Sequence, residues 1–324
     1  MMITKKLNNL AISTLIIALL NPSSANAMAE KTIRIATFNV SMEALNYAPK
    51  EQHGRDAPKG DELNSALGSN HQQIKNIAEI IQRINPDVLL INEFDRLNSD
   101  ASELKTFINS YINVAQNGLN AVDYPYFFQG PVNTGVLTNN DINGDNKISH
   151  PVDTYGFGHF PGHFAMAILS KFPIDHKNIR SFQKFKWKDM PKALKPINKD
   201  GSDYYNDAVW NDFRLSSKSH WDVPIIVGGN SFNLLASHPT PPVFDGEEDR
   251  NGKRNHDEIR FWVDYISPSI SKNTSQYIYD DNKTKGGLGA DDKQTPFVIL
   301  GDLNASVDDG DANKAGIGAL INHP

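Results

Sequence analysis

The sequence has 324 residues, 39% hydrophobic and 22% charged, with no cysteine and a formal charge of −6. A chain of this length can bury a sizeable core, so its stability needs no disulfide staples. Net acidity argues against tight, salt-sensitive wrapping of nucleic acid, although a metal or a small basic cleft can still handle phosphate locally.

At the start, Lys5 and Lys6 precede an apolar run from Leu10 to Leu20, and Ala25-Asn26-Ala27 offers small residues at cleavage spacing. That order of features predicts a secretory signal peptide over 1–27, cut near Ala27. The run is shorter than the roughly 18 apolar residues of a membrane span, so no stable membrane anchor is expected. Removing the two lysines takes the charge from −6 to −8. The expected product is residues 28–324, one exported domain, periplasmic or extracellular and monomeric.

"TIRIATFNV" alternates Ile33, Ile35 and Thr37 with Arg34, Ala36 and Phe38, which predicts a strand ending near Asn39. A polar stretch from Glu43 to about Asn70 follows. In "HQQIKNIAEIIQRINPD", Ile74, Ile77, Ile81 and Ile84 form one helical stripe, and Pro86 stops it. "DVLLINEF" then reads as a buried strand reaching Glu93. Strand, helix, strand in this order argues for an α/β or α+β protein. Residues 133–162 show no sustained period and many turn formers, so they read as a long surface excursion. "FAMAILSKFPI" returns to strand character. "VPIIVGG" and "SFNLLASHP" flank Gly228, Gly229 and Asn230 as a hairpin. "NHDEIRFWVDYI" predicts a helix capped by Asn255, with Glu258 three residues on and Ile259, Trp262, Val263 and Ile266 inward. "FVILGDLNAS" closes the pattern with another strand.

Four strand ends carry chemistry: Asn39, Glu93, His238, and Asp302 with Asn304. Singly, each could be a turn former or a solvated end. Together they offer a hard-cation ligand, a titratable imidazole and an acid-amide pair at one rim of a sheet. Arg214 could clamp phosphate bidentately or serve a structural ion pair.

In "IATFNV", "PDVLLINEFD", "FAMAILSKFPI", "NLLASHPTPP" and "FVILGDLNAS" the sequence resembles the endonuclease/exonuclease/phosphatase superfamily, the DNase I-like fold. Two longer phrases, "DFRLSSKSHWDVPI" and "HPTPPVFDGEEDRNGKRNHDEIRFW", are similar to a large exported bacterial branch of it. The resemblance implies an α/β fold, a four-layer α-β-β-α sandwich. It also implies a metal-dependent phosphoester hydrolase, a phosphodiesterase or phosphomonoesterase, using Mg2+ or Mn2+. Glu93 would bind the metal with Asn39 beside it. Asp302 would activate water, Asn304 would hold phosphoryl oxygens, and His238 would bond the phosphate or leaving group. Substrates in reach are small phosphoesters, phospholipid-derived ones or nucleic acid, with the acidic charge tilting towards the first two.

Relatives continue past Gly-Asp-x-Asn to a late Ser-Asp-His, whereas only "VDDGDANKAGIGALINHP" follows here, and His323 has no acid before it. The comparison therefore implies missing C-terminal strands, a missing catalytic histidine and impaired activity. A non-catalytic exported binding protein on the same scaffold is the rival expectation. Two weaker signals remain. Asp141, Asn143 and Asp145 have the spacing of a Ca2+ loop, but Val152 stands where its last acid belongs, so a polar Asx-turn is the alternative. Lys184, Lys186, Lys188, Lys192 and Lys195 interleave with Phe185 and Trp187, as in an anion-binding face or, the favoured reading, a solvated amphipathic segment.

Overall fold

The computed structural model of the chain describes residues 32–48, 58–267, 274–288 and 295–324. The expected signal peptide lies outside them. Strand β1, Ile35–Met42, runs parallel to β2, Val88–Phe94, with Asn39 opposite Asn92. The strand does not stop at Asn39. It passes through a register shift and ends three residues later. Between the two strands, the polar stretch holds short helices α1, Ala44–Tyr47, and α2, Glu62–Gly68, before the expected helix α3, Gln72–Ile84. Glu43 starts α1 by accepting from the Leu45 amide at 2.7 Å, a local cap that apolar periodicity cannot reveal. The α3 stripe holds for Ile74, Ile77 and Ile81. Ile84 is 49% exposed, because the chain turns out of the helix at Asn85 in the left-handed region.

The first sheet has the order β1-β2-β4-β3, with β3 spanning Tyr126–Phe128 and β4 spanning Met166–Ser170. Helix α4, Ser102–Phe107, continues into a wide turn over Ile108–Ile112. The second sheet has the order β5-β6-β7-β8: Arg180–Ser181, His220–Val227, Asn230–Ser237 and Phe297–Gly301. The predicted hairpin is β6–β7. Val227 pairs with Asn230, so the turn is Gly228-Gly229 alone, both at positive φ as a two-residue hairpin turn demands. Strand β8 is parallel to β7, and helix α6, Arg250–Ile266, makes the crossover. Short α5, Asp207–Asp212, and α7, Lys314–Ile321, complete the helices.

Helix α6 begins five residues before the predicted cap. Asn255 is buried inside it, and its amide donates to the carbonyls of Thr240 at 2.9 Å and Leu303 at 3.0 Å. The residue type that suggested a helix start is instead a tertiary tie.

Three apolar clusters define the layers. One, including Leu89, Ile91, Ile77 and Leu104, joins the outer face of the first sheet to its helices. A second, including Val88, Leu90, Trp221, Leu234 and Ala236, fills the space between the sheets. The third, including Leu235, Phe261 and Trp262, seats α6 on the outer face of the second sheet. Alternate residues of β2 thus serve opposite cores, which is why that strand reads as a continuous apolar run. The result is a four-layer α-β-β-α sandwich of the DNase I-like type. In the basic segment, Phe182, Phe185 and Trp187 are buried beneath α6 while Lys184, Lys188 and Lys192 face outward.

Candidate active site

The period of two carries the inner faces of three strands beyond the apolar core. Ile35, Ala236 and Leu300 belong to the inter-sheet cluster. Continuing each row by two-residue steps reaches Asn39, His238 and Asp302. There the sheets meet through polar groups. The Asn39 amide donates to Asp302 Oδ2 at 3.0 Å, and His238 Nε2 lies 4.0 Å from the same oxygen. The Asn304 amide nitrogen donates to Asp302 Oδ1 at 3.2 Å, and its side chain donates to the Pro239 carbonyl at 3.1 Å.

Glu93 joins from the end of β2. Its backbone has φ +56°, Ser41 has φ +45° and Asn304 has φ +50°. Three non-glycine residues in the left-handed region at one locus are strained conformations of the kind that cluster at functional sites. Ser41 bridges the group: its amide donates to Asn39 Oδ1 at 3.0 Å and its hydroxyl lies 3.5 Å from Glu93 Oε2. That hydroxyl is the only hydrogen-bond donor to the Glu93 carboxylate among the described residues.

His238 is buried, and its Nδ1 has no partner among the described residues. Burial, reinforced by the positive charge of Lys218, holds its pKa well below the usual histidine value, so the ring is neutral at pH 7. Lys218 stands four residues after Arg214 in the "DFRLSSKSHWD" phrase. It is 6% exposed. Burial pulls its pKa down, while Glu258, Glu93 and Asp302 pull it back up. Arg214 itself donates to Asn133 Oδ1 at 2.7 Å and stacks 3.9 Å over the Tyr155 ring. It makes no hydrogen bond to the other predicted site residues, which the fold brings together.

Two buried carboxylates fix the loops that carry these groups. Glu258 on α6 accepts from the Ser217 and Thr240 amides, each at 2.6 Å, beside Lys218 and His238. Asp95, just past β2, accepts from the Ala44 amide at 2.8 Å and the Phe164 amide at 2.9 Å. Burial pushes the Asp95 carboxyl well above the usual carboxylate range, against the pull of those amide bonds. His163, immediately before Phe164, contacts Glu43 through Nε2 at 3.0 Å.

The donor set fits a hard divalent cation. The Glu93 carboxylate and Asn39 Oδ1 offer oxygen donor atoms at one rim, with the Ser41 hydroxyl 3.5 Å from both residues, and such a cation fills the rest of its shell with water and phosphate. A separate acidic triad occupies the loop after β3, where ligand atoms of Asp141, Asp145 and Asp153 lie within 4.8 Å of one another. Asp153, one residue beyond Val152, brings a third carboxylate to the loop. Its oxygens accept from the Ile142 and Ser149 amides at 2.7 and 2.9 Å.

The chain matches the Endonuclease/Exonuclease/phosphatase family over residues 36–322, a span that holds Asn39, Glu93, His238, Asp302 and Asn304. The chain belongs to this family. Endonuclease/exonuclease/phosphatase proteins hydrolyse phosphoesters, in keeping with an acid, amide and imidazole gathered at one rim. No curated protein matches the chain. Similar solved structures include an endonuclease/exonuclease/phosphatase from Beutenbergia cavernae, at 13% identity and TM-score 0.42 over 87% of this chain and 51% of that one. A beta toxin mutant from Staphylococcus aureus with bound magnesium ions has 14% identity and TM-score 0.40, over 90% of this chain and 70% of the toxin. Sphingomyelinase C from Streptomyces griseocarneus has 14% identity and TM-score 0.40, over 89% and 68%. The family member described here thus spans about half the length of the Beutenbergia protein.

Proposed function

We propose that the chain is an exported, divalent-metal-dependent phosphoester hydrolase whose single catalytic domain covers 28–324. The observation that carries this reading is the Asn39–Asp302 hydrogen bond across the sheets, with His238 and Glu93 beside it. Glu93 and Asn39 would hold Mg2+ or Mn2+, whose charge would neutralise the phosphoryl oxygens. Asp302 orients the attacking water and accepts its proton, with Asn39 and the Asn304 amide fixing the carboxylate. Asn304 has one side-chain N–H without an acceptor among the described residues, available to a phosphoryl oxygen. His238, neutral through burial, donates to the phosphate or the leaving oxygen as charge develops there. The acidic net charge favours a small or membrane-derived phosphoester over long nucleic acid. In the loop after β3, Asp141, Asn143 and Asp145, joined by Asp153, form a structural Ca2+ site in this reading.

The test measures hydrolysis of bis-p-nitrophenyl phosphate and p-nitrophenyl phosphate with Mg2+, with Mn2+ and with chelator, alongside Mn2+ titration calorimetry. Glu93→Ala is expected to lose both metal binding and turnover, and Asp302→Ala to lose turnover. Metal-independent turnover, or undiminished activity in either variant, refutes the reading.

A further inference from the structure

We propose that Lys218 is a catalytic residue of this site, its ammonium binding a non-bridging oxygen of the phosphoryl group; this rests on the hydrolase reading above. The place follows from the loop before β6: Ser217, the residue immediately before Lys218, donates its hydroxyl to the His238 carbonyl. The side chain is buried, yet its ammonium has no hydrogen-bond acceptor among the described residues, although Glu258, Glu93 and Asp302 act on it through space. The Glu258 oxygens are already engaged by the Ser217 and Thr240 amides. A buried cation is stable when paired and hydrogen-bonded, and an anionic oxygen meets that need.

The backbone around Lys218 is fixed in advance. Its carbonyl accepts from the Asn133 amide at 2.8 Å. The preceding Ser217 bonds Glu258 through its amide and the His238 carbonyl through its hydroxyl at 3.2 Å. Donors held in place before the reaction stabilise developing charge without reorganisation. Lys218 also offsets Glu93 and Asp302, which would otherwise repel an anionic substrate. It forms and breaks no covalent bond.

The experiment compares wild type, Lys218→Met, Lys218→Gln and Lys218→Arg by two readouts with Mn2+ present: bis-p-nitrophenyl phosphate turnover, and calorimetric binding of inorganic phosphate. Removing one such donor typically costs about 100-fold or more in rate. Lys218→Met is expected to lose about that much in kcat/KM and to bind phosphate more weakly, with Lys218→Arg recovering part of both. Mn2+ affinity is expected to hold or to tighten, since a like charge has gone. If Lys218→Met does not fold, Lys218→Gln carries the same comparison. A folded variant with unchanged kcat/KM and phosphate affinity overturns the proposal, and so does a parallel loss of Mn2+ binding, which would make Lys218 an organiser of the metal site. Wild type that binds no phosphate also overturns it. Wild type that turns over no ester but binds phosphate in a Lys218-dependent way refutes the hydrolase reading and with it the catalytic role, leaving Lys218 a phosphate-binding residue.

Discussion

Replacing Glu258 with Gln perturbs the second sheet's half of the site at its anchor. The carboxylate accepts from the Ser217 and Thr240 amides at 2.6 Å each, and the residue is buried. Glutamine has one carbonyl oxygen, so one of the two amides would face an NH2 group. The variant loses the charge assistance on one bond and leaves the other donor unsatisfied, each worth about 1–3 kcal/mol. A total of about 3 kcal/mol follows, a large share of the 5–15 kcal/mol that typically stabilises a domain. With an m-value of about 3 kcal/mol/M in urea, the unfolding midpoint should fall by about 1 M. The assay is urea unfolding followed by tryptophan fluorescence, with phosphate calorimetry on the folded variant. The Ser217 and Thr240 loops carry Lys218 and His238, so phosphate affinity should fall with the midpoint. A midpoint within a few tenths of a molar of wild type, with unchanged phosphate binding, would refute the assignment of Glu258 as the clamp of these loops.

Acid should weaken the fold through His220. Its Nε2 donates to the Glu258 carbonyl at 2.8 Å, its Nδ1 accepts from the Ser216 hydroxyl at 2.6 Å, and burial lowers its pKa from 6.5 to about 4. Between those values the unfolded chain binds a proton that the folded chain refuses, so stability falls as pH drops through 6.5 towards 4, by about 3 kcal/mol in all. Urea midpoints of His220→Gln against wild type should converge across that window, and parallel profiles would contradict the assignment. Asn39→Ala removes the bridge to Asp302 and the brace of the Ser41 amide, and should cost about 1–2 kcal/mol together with weaker Mn2+ binding by calorimetry. For the loop after β3, Ca2+ at about 100 times its Kd should raise stability by about 2.7 kcal/mol. Asp153→Asn should abolish that Ca2+-dependent shift of the thermal midpoint; an unchanged shift would place the ion elsewhere.

What could be read in advance divides along a physical line. Asn39, Glu93, His238 and Asp302 each follow an apolar run, and a strand turns that run into a direction, so local pattern was enough to expect them at one rim, where Asn39 and His238 approach Asp302. The groups that hold them were not legible. Glu258 reaches the Ser217 amide across 41 residues and Asp95 reaches the Ala44 amide across 51, so no local period marks either. Asn255 showed the opposite failure: a residue with a strong local preference was recruited for a tertiary bond, and the helix start moved to Arg250. Lys218 carries no local signal, because a lysine is buried by the fold around it and not by any period of the chain. Strands β3 and β5 are only three and two residues long, too short for alternation to register.

The two halves of the sandwich solve one problem twice. Each has a parallel pair, β1/β2 or β7/β8, with its helical crossover outside, and each delivers two polar residues at the carboxyl ends of those strands. Each half also sets a buried carboxylate against two loop amides, Asp95 on Ala44 and Phe164, Glu258 on Ser217 and Thr240. The apolar core between the sheets fixes their separation, but apolar packing is not directional and cannot set the angle of a carboxylate. Hydrogen bonds can. The Asn39–Asp302 bond is therefore placed where two independently braced rims meet, so its geometry reports the alignment of both. Loosening either clamp should shift one pair of site residues against the other while leaving the core between them packed.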